Sequence, residues 1–497
     1  MICSRISRRG FLRAAGACTV GEALSSARLL GADEIGLGQA ETQSDYQLAI
    51  ATTPVEIASK RILSLTTYNG QFPGPLLRLH EGQRVSVEVR NETDSPQQLH
   101  WHGQKIPSEV DGAGEEGSPF IPAHGRRRIE FTPGPAGFRF YHTHMRALTD
   151  LSAGQYGGLV GPLYIEPRND AGAYDREVFL ALKEFEPTFS QGGDMAQDIF
   201  PKSAEVGQLK ERGEKAMKAS LAAGAKHGYE VGYGSFTING KMLGHGEPVR
   251  VKRGERVLFH VLNGSAGEIR SLALPGHSFT IVAMDGNPVP KPVRVPVLWM
   301  GTAERVSAVV EMNHPGIWIM GDLDDDDRAH GMGIVVEYAG ATGKAVWVKP
   351  FESRWNYAHF GMNEAKAIEP NESFEMVFEK KNAVLDGFNQ WTINGAAYPS
   401  TEMMAPIMLH LQKGRRYRLR MRNESDDIHP IHLHRHTFEI TRFAGQTTSG
   451  VMKDVVMVPG YGEVDVDFVA DNPGLTLFHC HQQLHMDYGF MALFDYV

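Results

Sequence analysis

The chain has 497 residues, and its 42% hydrophobic and 22% charged residues match the composition of a water-soluble globular protein. Its length favours about two to four domains, because a single hydrophobic core does not grow to this size. The formal net charge of −9, without a long basic run, argues against nucleic-acid binding, and no apolar stretch is long enough to span a bilayer.

The N-terminal residues 1–27 are predicted to be a twin-arginine export signal. Residues 7–12 (SRRGFL) carry the arginine pair, a small and weakly apolar run follows at 14–20, and residues 25–27 (SSA) offer a cleavage site. A basic, frayed terminus is the alternative, and Cys18 is a weaker candidate for lipidation. The signal predicts a periplasmic or secreted protein that uses the twin-arginine export machinery and keeps no stable membrane anchor.

A strand pattern then occurs three times along the chain. Each copy has a turn glycine, an alternation of apolar and polar residues and a closing asparagine. The copies are residues 82–91 (GQRVSVEVRN), 254–263 (GERVLFHVLN) and 414–423 (GRRYRLRMRN). An Asn-Gly hairpin signal precedes each copy, at 69–70, 239–240 and 394–395. The repeats predict an all-β protein of three Greek-key β-sandwich or barrel domains, at 45–168, 169–340 and 341–497.

The first domain contains two His-x-His pairs. His100 and His102 lie in LHWHG, and His142 and His144 lie in YHTHM. Because residues i and i+2 of a strand point to the same face, each pair presents two imidazoles together.

The middle domain has lost both pairs. The residues in register are 273–275 (ALP) and 321–323 (GDL), and Arg270 stands where the last domain has His429. The domain is therefore predicted to bind no metal and to act as a spacer that shapes a cleft. A segment at about 190–226 breaks the β pattern, and its composition predicts either a helical insert over a site or a mobile surface excursion. The acidic run 324–327 is interpreted as a solvated turn.

The last domain repeats the pairs and adds a cysteine. His432 and His434 form one pair, His479 and His481 form the other, and Cys480 lies between the second two. Eight paired imidazoles exceed the needs of one ion, and imidazole suits copper, zinc, iron and nickel. Cys3 and Cys18 lie in the leader, so the mature chain would keep Cys480 as its single thiol and form no internal disulfide.

Cys480 narrows the choice of metal to copper. Its side chain points away from the face that His479 and His481 share. A thiolate with two histidines and a weak or absent axial ligand is the blue-copper arrangement, and His429 and His485 are the available pair. The cysteine would hold one copper while its two neighbours hold a cluster behind it, which gives electrons a short covalent path.

Four sequence blocks together resemble the multicopper oxidases, in particular the laccase-like, three-domain bacterial members. They are LHWHG (99–103), YHTHM (141–145), HPIHLH (429–434) and HCHQQLHMDYGFM (479–491). The resemblance covers nearly the whole mature chain and implies three cupredoxin domains with four copper ions. It implies a type 1 copper on His429, Cys480 and His485, a type 2 copper on His100 and His432, and a type 3 pair on His102, His142, His144, His434, His479 and His481.

The resemblance also assigns roles around these ligands. Asp111 falls where the family has an acid near the cluster, so it joins Cys480, His479 and His481 as a candidate catalytic residue; a turn aspartate is the alternative. Phe490 occupies the axial position, which predicts no axial ligand and a raised redox potential.

Some other positions near these blocks differ from the family pattern, and one acidic pair is a candidate proton acceptor. Arg435 replaces a usual glycine, and Met486 replaces a carboxylate that some members carry, with Asp487 next to it. Residues 426–427 (DD) could accept a phenolic proton, but a solvated turn is favoured.

The function implied is the one-electron oxidation of phenols or similar reductants, coupled to the four-electron reduction of oxygen to water. A Cu(I) oxidase for copper tolerance is the nearest alternative. A metal-free structural protein of the same fold is disfavoured by the complete ligand set, and a two-domain nitrite reductase by the third repeat.

Overall fold

The computed structural model describes residues 44–168, 174–190, 199–201, 210–211, 215, 227–351, 353–362, 368–398 and 407–497. The predicted export signal and most of the segment at 190–226 lie outside these residues. Lys210, Glu211 and Lys215 of that segment have helical backbone conformation. No helix in the described ranges is long and apolar enough to cross a membrane.

The first domain consists of two four-stranded sheets, with orders β2-β1-β4-β6 and β3-β8-β7-β5. The strands are β1 (Tyr46–Ala58), β2 (Arg61–Tyr68), β3 (Leu77–His80), β4 (Val85–Asn91), β5 (His100–His102), β6 (Arg126–Phe131), β7 (Gly137–His142) and β8 (Val160–Glu166). A short α-helix, Ser108–Asp111, and the 3₁₀ turns Gly114–Glu116 and Gly154–Tyr156 connect them.

The middle domain pairs a six-stranded sheet, β10-β9-β12-β17-β14-β15, with a five-stranded sheet, β11-β19-β18-β13-β16. The strands are β9 (Arg176–Ser190), β10 (Glu230–Ile238), β11 (Val249–Val251), β12 (Arg256–Asn263), β13 (Arg270–Ala273), β14 (Phe279–Met284), β15 (Asn287–Val295), β16 (Val297–Met300), β17 (Arg305–Glu311), β18 (Ile317–Gly321) and β19 (Gly333–Tyr338). The helix Asp325–Ala329 precedes β19.

The last domain repeats this plan, with orders β21-β20-β23-β28-β25-β26 and β22-β30-β29-β24-β27. The strands are β20 (Glu372–Leu385), β21 (Phe388–Ile393), β22 (Ile407–Leu411), β23 (Arg416–Asn423), β24 (His429–Leu433), β25 (Phe438–Phe443), β26 (Gln446–Lys453), β27 (Val455–Val458), β28 (Glu463–Val469), β29 (Thr476–Cys480) and β30 (Met491–Tyr496). The 3₁₀ turn Tyr357–Phe360 precedes them, and the helix Gln483–Asp487 joins β29 to β30. The prediction of an all-β chain of three sandwiches is confirmed.

The three predicted repeats form equivalent strands for the same local reasons. β4, β12 and β23 follow glycines with φ of +73°, +81° and +85°, which residues with a β-carbon rarely adopt. Each strand closes on an asparagine whose amide group donates to two or more backbone carbonyls of the following loops; the asparagines are Asn91, Asn263 and Asn423. The Asn-Gly pairs at 69–70, 239–240 and 394–395 all have positive φ at both residues, as the predicted hairpin turns require.

Strand register brings the histidine pairs side by side. In the first domain β5 lies antiparallel to β7, with His100 opposite His142. In the last domain β24 lies antiparallel to β29, with His432 opposite His479. The middle domain has the same register, and there Ala273 lies opposite Gly321. The same antiparallel strand pair therefore occurs in all three domains, but only the pairs of the first and last domains carry histidines at these positions.

Candidate metal centre

His429, Cys480 and His485 form a buried mononuclear group. His429 begins β24, Cys480 ends β29, and His485 lies on the helix that follows. The Cys480 Sγ is 3.7 Å from His429 Nδ1 and 3.5 Å from His485 Nδ1, and the two nitrogens are 3.1 Å apart. These separations would let the three side chains hold one ion together, since metal–nitrogen and metal–sulfur bonds are about 2.0 and 2.3 Å long.

Neighbouring groups orient both imidazoles of the mononuclear group. The Ser425 hydroxyl donates to the Asn423 side chain at 2.8 Å, so its oxygen accepts from His429 Nε2 at 2.9 Å and leaves His429 Nδ1 with a free lone pair. The Trp391 indole stacks on His485 with ring centroids 4.0 Å apart. Both rings are thus held before any metal binds.

The protonation of the mononuclear group favours a cation. Burial lowers the pKa of His429 to about 4 and that of His485 well below its ordinary value, so both imidazoles are neutral near pH 7. Burial raises the pKa of the Cys480 thiol well above its ordinary value. A bound cation would reverse that shift, because coordination deprotonates a thiol.

Phe490, predicted to occupy the axial position, packs against the mononuclear group. Its ring lies 4.6 Å from the His429 ring at 83°, and its carbonyl accepts from the Cys480 amide at 3.1 Å. Met491 turns the other way and packs with Ala113 and Leu477. The neighbourhood offers an aromatic ring rather than a thioether in this direction.

The prediction of a solvated turn at 426–427 is wrong. The Lys380 ammonium lies 2.7 Å from Asp426 Oδ1 and donates to Asp427 Oδ1 at 2.9 Å. The other Asp427 oxygen accepts from Trp391 Nε1 at 2.8 Å. Burial alone raises the pKa of Asp427, but the Lys380 charge and the nearby imidazoles outweigh it and lower the pKa. This buried ion pair supports the indole that stacks on His485.

A second, larger group is the polyhistidine cluster. It contains His100, His102, His142, His144, His432, His434, His479 and His481, all at most 2% exposed. Their ring nitrogens come together in three sets, within 4.8 Å in each, of which the first two share His102: His100, His102 and His432; His102, His142 and His481; and His144, His434 and His479. The first domain supplies four of these rings and the last domain supplies the other four.

Several buried ring nitrogens of the polyhistidine cluster lack a hydrogen-bond partner in the part of the chain that the structure describes. His100 and His432 place Nδ1 on backbone carbonyls, those of Asp111 at 3.0 Å and Asp454 at 2.7 Å. Their Nε2 atoms, and both ring nitrogens of His481, are buried and have no hydrogen-bond partner within the described residues. Burial and the mutual proximity of the rings lower the pKa of His432 and His481, which keeps them neutral. Buried polar atoms without partners are costly, so the residues fit bound cations.

Asp111 lies against the polyhistidine cluster. Its Oδ2 accepts from His434 Nδ1 at 2.9 Å and is 3.0 Å from His100 Nδ1. Gly112 follows with φ +101°, and a β-carbon there would lie 1.8 Å from the Leu99 carbonyl oxygen. The aspartate thus ends the short helix Ser108–Asp111 and contacts two predicted ligands.

Glu116 is a neighbour of Asp111 that sequence reasoning missed. Its Oε1 accepts from the Leu477 amide at 2.7 Å, and its Oε2 is 3.4 Å from Arg435 Nε. Burial and the adjacent Asp111 raise the pKa of Glu116 well above its ordinary value. The single available signal was its place five residues after Asp111.

Arg435 adopts φ +58°, the region that glycine favours, which accounts for the glycine usual in the resembling family. The guanidinium is buried and donates to the carbonyls of Pro473, Gly474 and Leu475. These bonds tie down the turn that precedes β29.

Two further acidic groups have structural partners. Asp487 Oδ2 accepts from the amides of Ala147 and Leu148 at 3.0 and 2.7 Å, and burial raises the pKa of Asp487 to about 7. The run 324–327 is not simply a solvated turn: Asp324 caps the helix Asp325–Ala329, and Asp327 forms an ion pair with buried Arg270.

All eleven ligands predicted from the sequence lie in one of the two groups, ten histidines and Cys480. The end of β29 joins the groups, because Cys480, its last residue, belongs to the mononuclear group, while His479 before it and His481 after it belong to the polyhistidine cluster. Sequence reasoning missed Asp454, which contacts His102 of the first domain, and Arg305 of the middle domain, which pairs with Asp454. Both contacts cross between domains and leave no local pattern.

Comparison with known proteins agrees with this arrangement. Sequence models described as multicopper oxidase match residues 49–170, 205–336 and 367–497. The chain is 28% identical to multicopper oxidase MmcO of Mycobacterium tuberculosis, across 99% of this chain and 97% of that protein. It is 27% identical to a copper resistance protein A homolog of Pseudomonas syringae pv. tomato, across 62% of this chain and 54% of that protein. A crystal structure of the multi-copper oxidase from Pseudomonas thermotolerans superposes with a TM-score of 0.67 at 23% identity, covering 92% and 100% of the two chains.

Proposed function

The chain belongs to the multicopper oxidases, copper-dependent oxidoreductases that use oxygen, and from this premise we propose that it couples the one-electron oxidation of phenols or similar reductants to the reduction of oxygen to water. The observation that carries the proposal is the alternation in β29. Cys480 faces the mononuclear group, and its two covalent neighbours, His479 and His481, face the polyhistidine cluster.

Four copper ions are proposed. One is held by His429, Cys480 and His485 as the type 1 ion, and one by the free Nε2 atoms of His100 and His432 as the type 2 ion. The type 3 pair is held by His102, His142 and His481 on one side and by His144, His434 and His479 on the other. These sets follow the nitrogens that approach one another. Bound copper would supply the redox chemistry, taking up single electrons at the mononuclear group and giving four to oxygen at the cluster.

Electrons enter at His485 in this proposal. His485 is 5% exposed, whereas His429 is fully buried. Trp391 covers one face of the His485 ring, with ring centroids 4.0 Å apart. An aromatic neighbour of the entry histidine favours an aromatic reductant, because planar rings pack well against one another.

Protons are supplied through Asp111 in this proposal. Oxygen reduction consumes a proton for each electron, and the Asp111 carboxylate lies within hydrogen-bonding distance of two cluster histidines. Its position lets it orient His434 and hold a proton beside the site of reduction. Glu116, whose pKa is raised by burial and by Asp111, provides a second carboxyl group in the same place.

Oxidation of Cu(I) is the second candidate function. It is favoured by the likeness to a copper resistance protein A homolog. A metal-free structural protein would have no use for eleven ligand side chains in mutual reach.

The proposed site of action is the periplasm or the exterior, reached through the twin-arginine signal at 1–27.

The test is oxygen uptake by the copper-loaded chain, first with a methoxyphenol and then with Cu(I) held by a weak chelator. Fast uptake with the phenol and little with Cu(I) would support phenol oxidation, and the reverse would establish the Cu(I) oxidase. His485→Gln is expected to abolish uptake with either reductant. His410→Gln, which changes an exposed histidine of the same domain, is the matched control and is expected to keep full uptake.

A further inference from the structure

A buried network of six charged side chains joins the three domains beside the polyhistidine cluster. Three are cationic and three anionic, and all are at most 2% exposed: Arg139 from the first domain, Asp285, Glu304 and Arg305 from the middle domain, and Lys453 and Asp454 from the last. The charges balance, as burial of ionised groups demands. The middle domain, which has none of the predicted ligands, thus contributes half of the network.

Asp454 connects this network to a predicted copper ligand. The Arg305 guanidinium donates to both Asp454 oxygens, at 2.7 and 2.6 Å, and Arg139 donates to Oδ2 at 3.3 Å. The paired carboxylate is therefore an acceptor only. His102 Nε2 lies 3.1 Å from Asp454 Oδ1 and must donate its hydrogen there.

This hydrogen bond fixes which nitrogen His102 offers to a metal. With its hydrogen on Nε2, the ring keeps a lone pair on Nδ1, which lies 3.4 Å from His142 Nε2. The orientation is the reverse of that in His142 and His479, which place Nδ1 on backbone carbonyls at 2.7 and 2.8 Å. A partner on the outer nitrogen commonly sets the tautomer and direction of a ligand imidazole.

The middle domain also places the backbone of Asp454. Asp285 Oδ2 accepts from the amides of Asp454 and Val455 at 3.3 and 3.1 Å, and its Oδ1 accepts from the Arg305 amide at 3.0 Å. The Asp454 carbonyl in turn accepts from His432 Nδ1 at 2.7 Å. One aspartate thus directs two imidazoles of the cluster, and two middle-domain residues direct that aspartate.

The HWHG block leaves room for this ion pair. Gly103 follows His102 with φ +77°, and a β-carbon on it would lie 2.5 Å from Asp454 Oδ2 and 2.8 Å from Arg305 Nη2. The absence of a side chain at this position lets the salt bridge lie directly against the ligand strand.

We propose that Arg305 is a positioning residue for the polyhistidine cluster: through Asp454 it holds His102 with Nδ1 directed at the metal and keeps His432 in place. The inference rests on the copper assignment proposed above. It gives the middle domain a part in the metal chemistry although that domain supplies none of the proposed ligands.

The test replaces Arg305 by glutamine and by lysine in the full, copper-loaded chain. Total copper, the blue absorption of the type 1 ion, the electron paramagnetic signal of the type 2 ion and the near-ultraviolet absorption of the type 3 pair are measured. Arg305→Gln is expected to keep the blue absorption but to bind cluster copper roughly 10- to 100-fold more weakly. Arg305→Lys keeps the charge without the two-pronged contact and is expected to recover part of that loss.

Arg270→Gln is the matched control. Arg270 is also buried in the middle domain, and its ion-pair partners within the described residues are Asp322 and Asp327, neither of which is a proposed ligand. It is expected to keep the wild-type ratio of cluster to type 1 signals even where thermal stability falls. If Arg305→Gln misfolds, Asp454→Asn breaks the same ion pair from its anionic side with little change of shape and is expected to give the same selective loss.

Three results would overturn the proposal. They are a full set of cluster signals in Arg305→Gln, a parallel loss of type 1 and cluster copper in both Arg305→Gln and Asp454→Asn, and an equal loss of cluster copper in Arg270→Gln. Failure of the copper assignment itself would show separately, because the unaltered chain would then lack the type 1 or the cluster signals.

Discussion

Arg270 and Asp327 form an ion pair at the place in the middle domain where His429 and His485 face each other in the last. The helix Asp325–Ala329 matches the helix Gln483–Asp487 in length, and each begins four residues after the equivalent strand residue, Gly321 or His479. Asp322, 3.9 Å from Arg270, stands in the position of Cys480. A set of complementary charges occupies the site that holds metal-binding side chains in the last domain.

This equivalence predicts that a metal site can be restored in the middle domain. The triple variant R270H/D322C/D327H is expected to bind about one additional copper ion with a second thiolate-to-copper absorption, because backbone register and helix placement are the same in both domains. Copper content and visible absorption of the purified variant are the measurements. The double variant R270H/D327H, which lacks the thiol, is the control and should gain no blue absorption. An unchanged spectrum in a folded triple variant would show that the two backbones differ too much to hold the ion.

Phe490→Met is expected to lower the potential of the type 1 copper. A thioether in place of the ring that lies 4.6 Å from His429 would add an axial ligand, which favours the oxidised ion. The potential is read from a redox titration of the blue absorption. Met491→Leu is the control, because Met491 packs on the other side of β30 and its loss should leave the potential unchanged. The same potential in Phe490→Met and the unaltered protein would argue against a non-coordinating Phe490.

Asp111→Asn is expected to slow oxygen reduction by roughly 100-fold or more, the usual loss for a positioned proton donor. Reduction of the type 1 ion by substrate should continue at its normal rate, since the two proposed ligands that Asp111 contacts, His100 and His434, both belong to the cluster. Anaerobic bleaching of the blue absorption and its recovery on mixing with oxygen separate the two steps. Glu109→Gln alters an exposed residue of the same short helix and should affect neither step. Equal slowing of both steps would point to a general structural effect.

The raised pKa of Glu268 is expected to make the free energy of unfolding depend on pH, whether or not copper is bound. Burial raises its pKa from 4.5 to about 7, and the nearby Arg270 only partly offsets this. The folded chain then binds a proton that the unfolded chain has lost, so stability falls as pH rises from about 4.5 through about 7. Glu268→Gln removes this fall and is expected to gain about 2 kcal/mol at about pH 8 relative to about pH 5.

The measurement for Glu268 is chemical unfolding of copper-free protein at the two pH values. Glu247→Gln, at an exposed carboxylate of the same domain, should keep the pH dependence of the unaltered protein. A difference between the two pH values that is the same in Glu268→Gln and the unaltered chain would assign the linkage to other groups.

The histidine pairs could be predicted because their signal is local. Strand alternation puts His479 and His481 on one face, and repetition of the pattern defines the register that sets His100 opposite His142. Pairing across the sheet then follows without knowledge of the rest of the fold.

Contacts between domains could not be predicted in this way. Arg305 and Asp454 are 149 residues apart, and each lies in an ordinary strand pattern or turn. The prediction of a solvated turn at 426–427 was wrong for the same reason. In the sequence, an aspartate pair before a strand resembles a solvated turn, and only the fold shows that Lys380 of another strand lies beside Asp427. Periodicity describes the faces of one element, whereas packing between elements decides which charges are buried together.

The division of the polyhistidine cluster between two domains has a consequence for biosynthesis. The four histidines of the first domain leave the ribosome before the middle domain has been made, and the other four follow only after it. Before the last domain docks, His100, His102, His142 and His144 are an open half-site that can take up whichever metal is abundant. Under the proposed copper assignment, metal supplied after the last domain has docked onto the first would meet the complete set of eight histidines, whereas a chain interrupted between them would have only half of it.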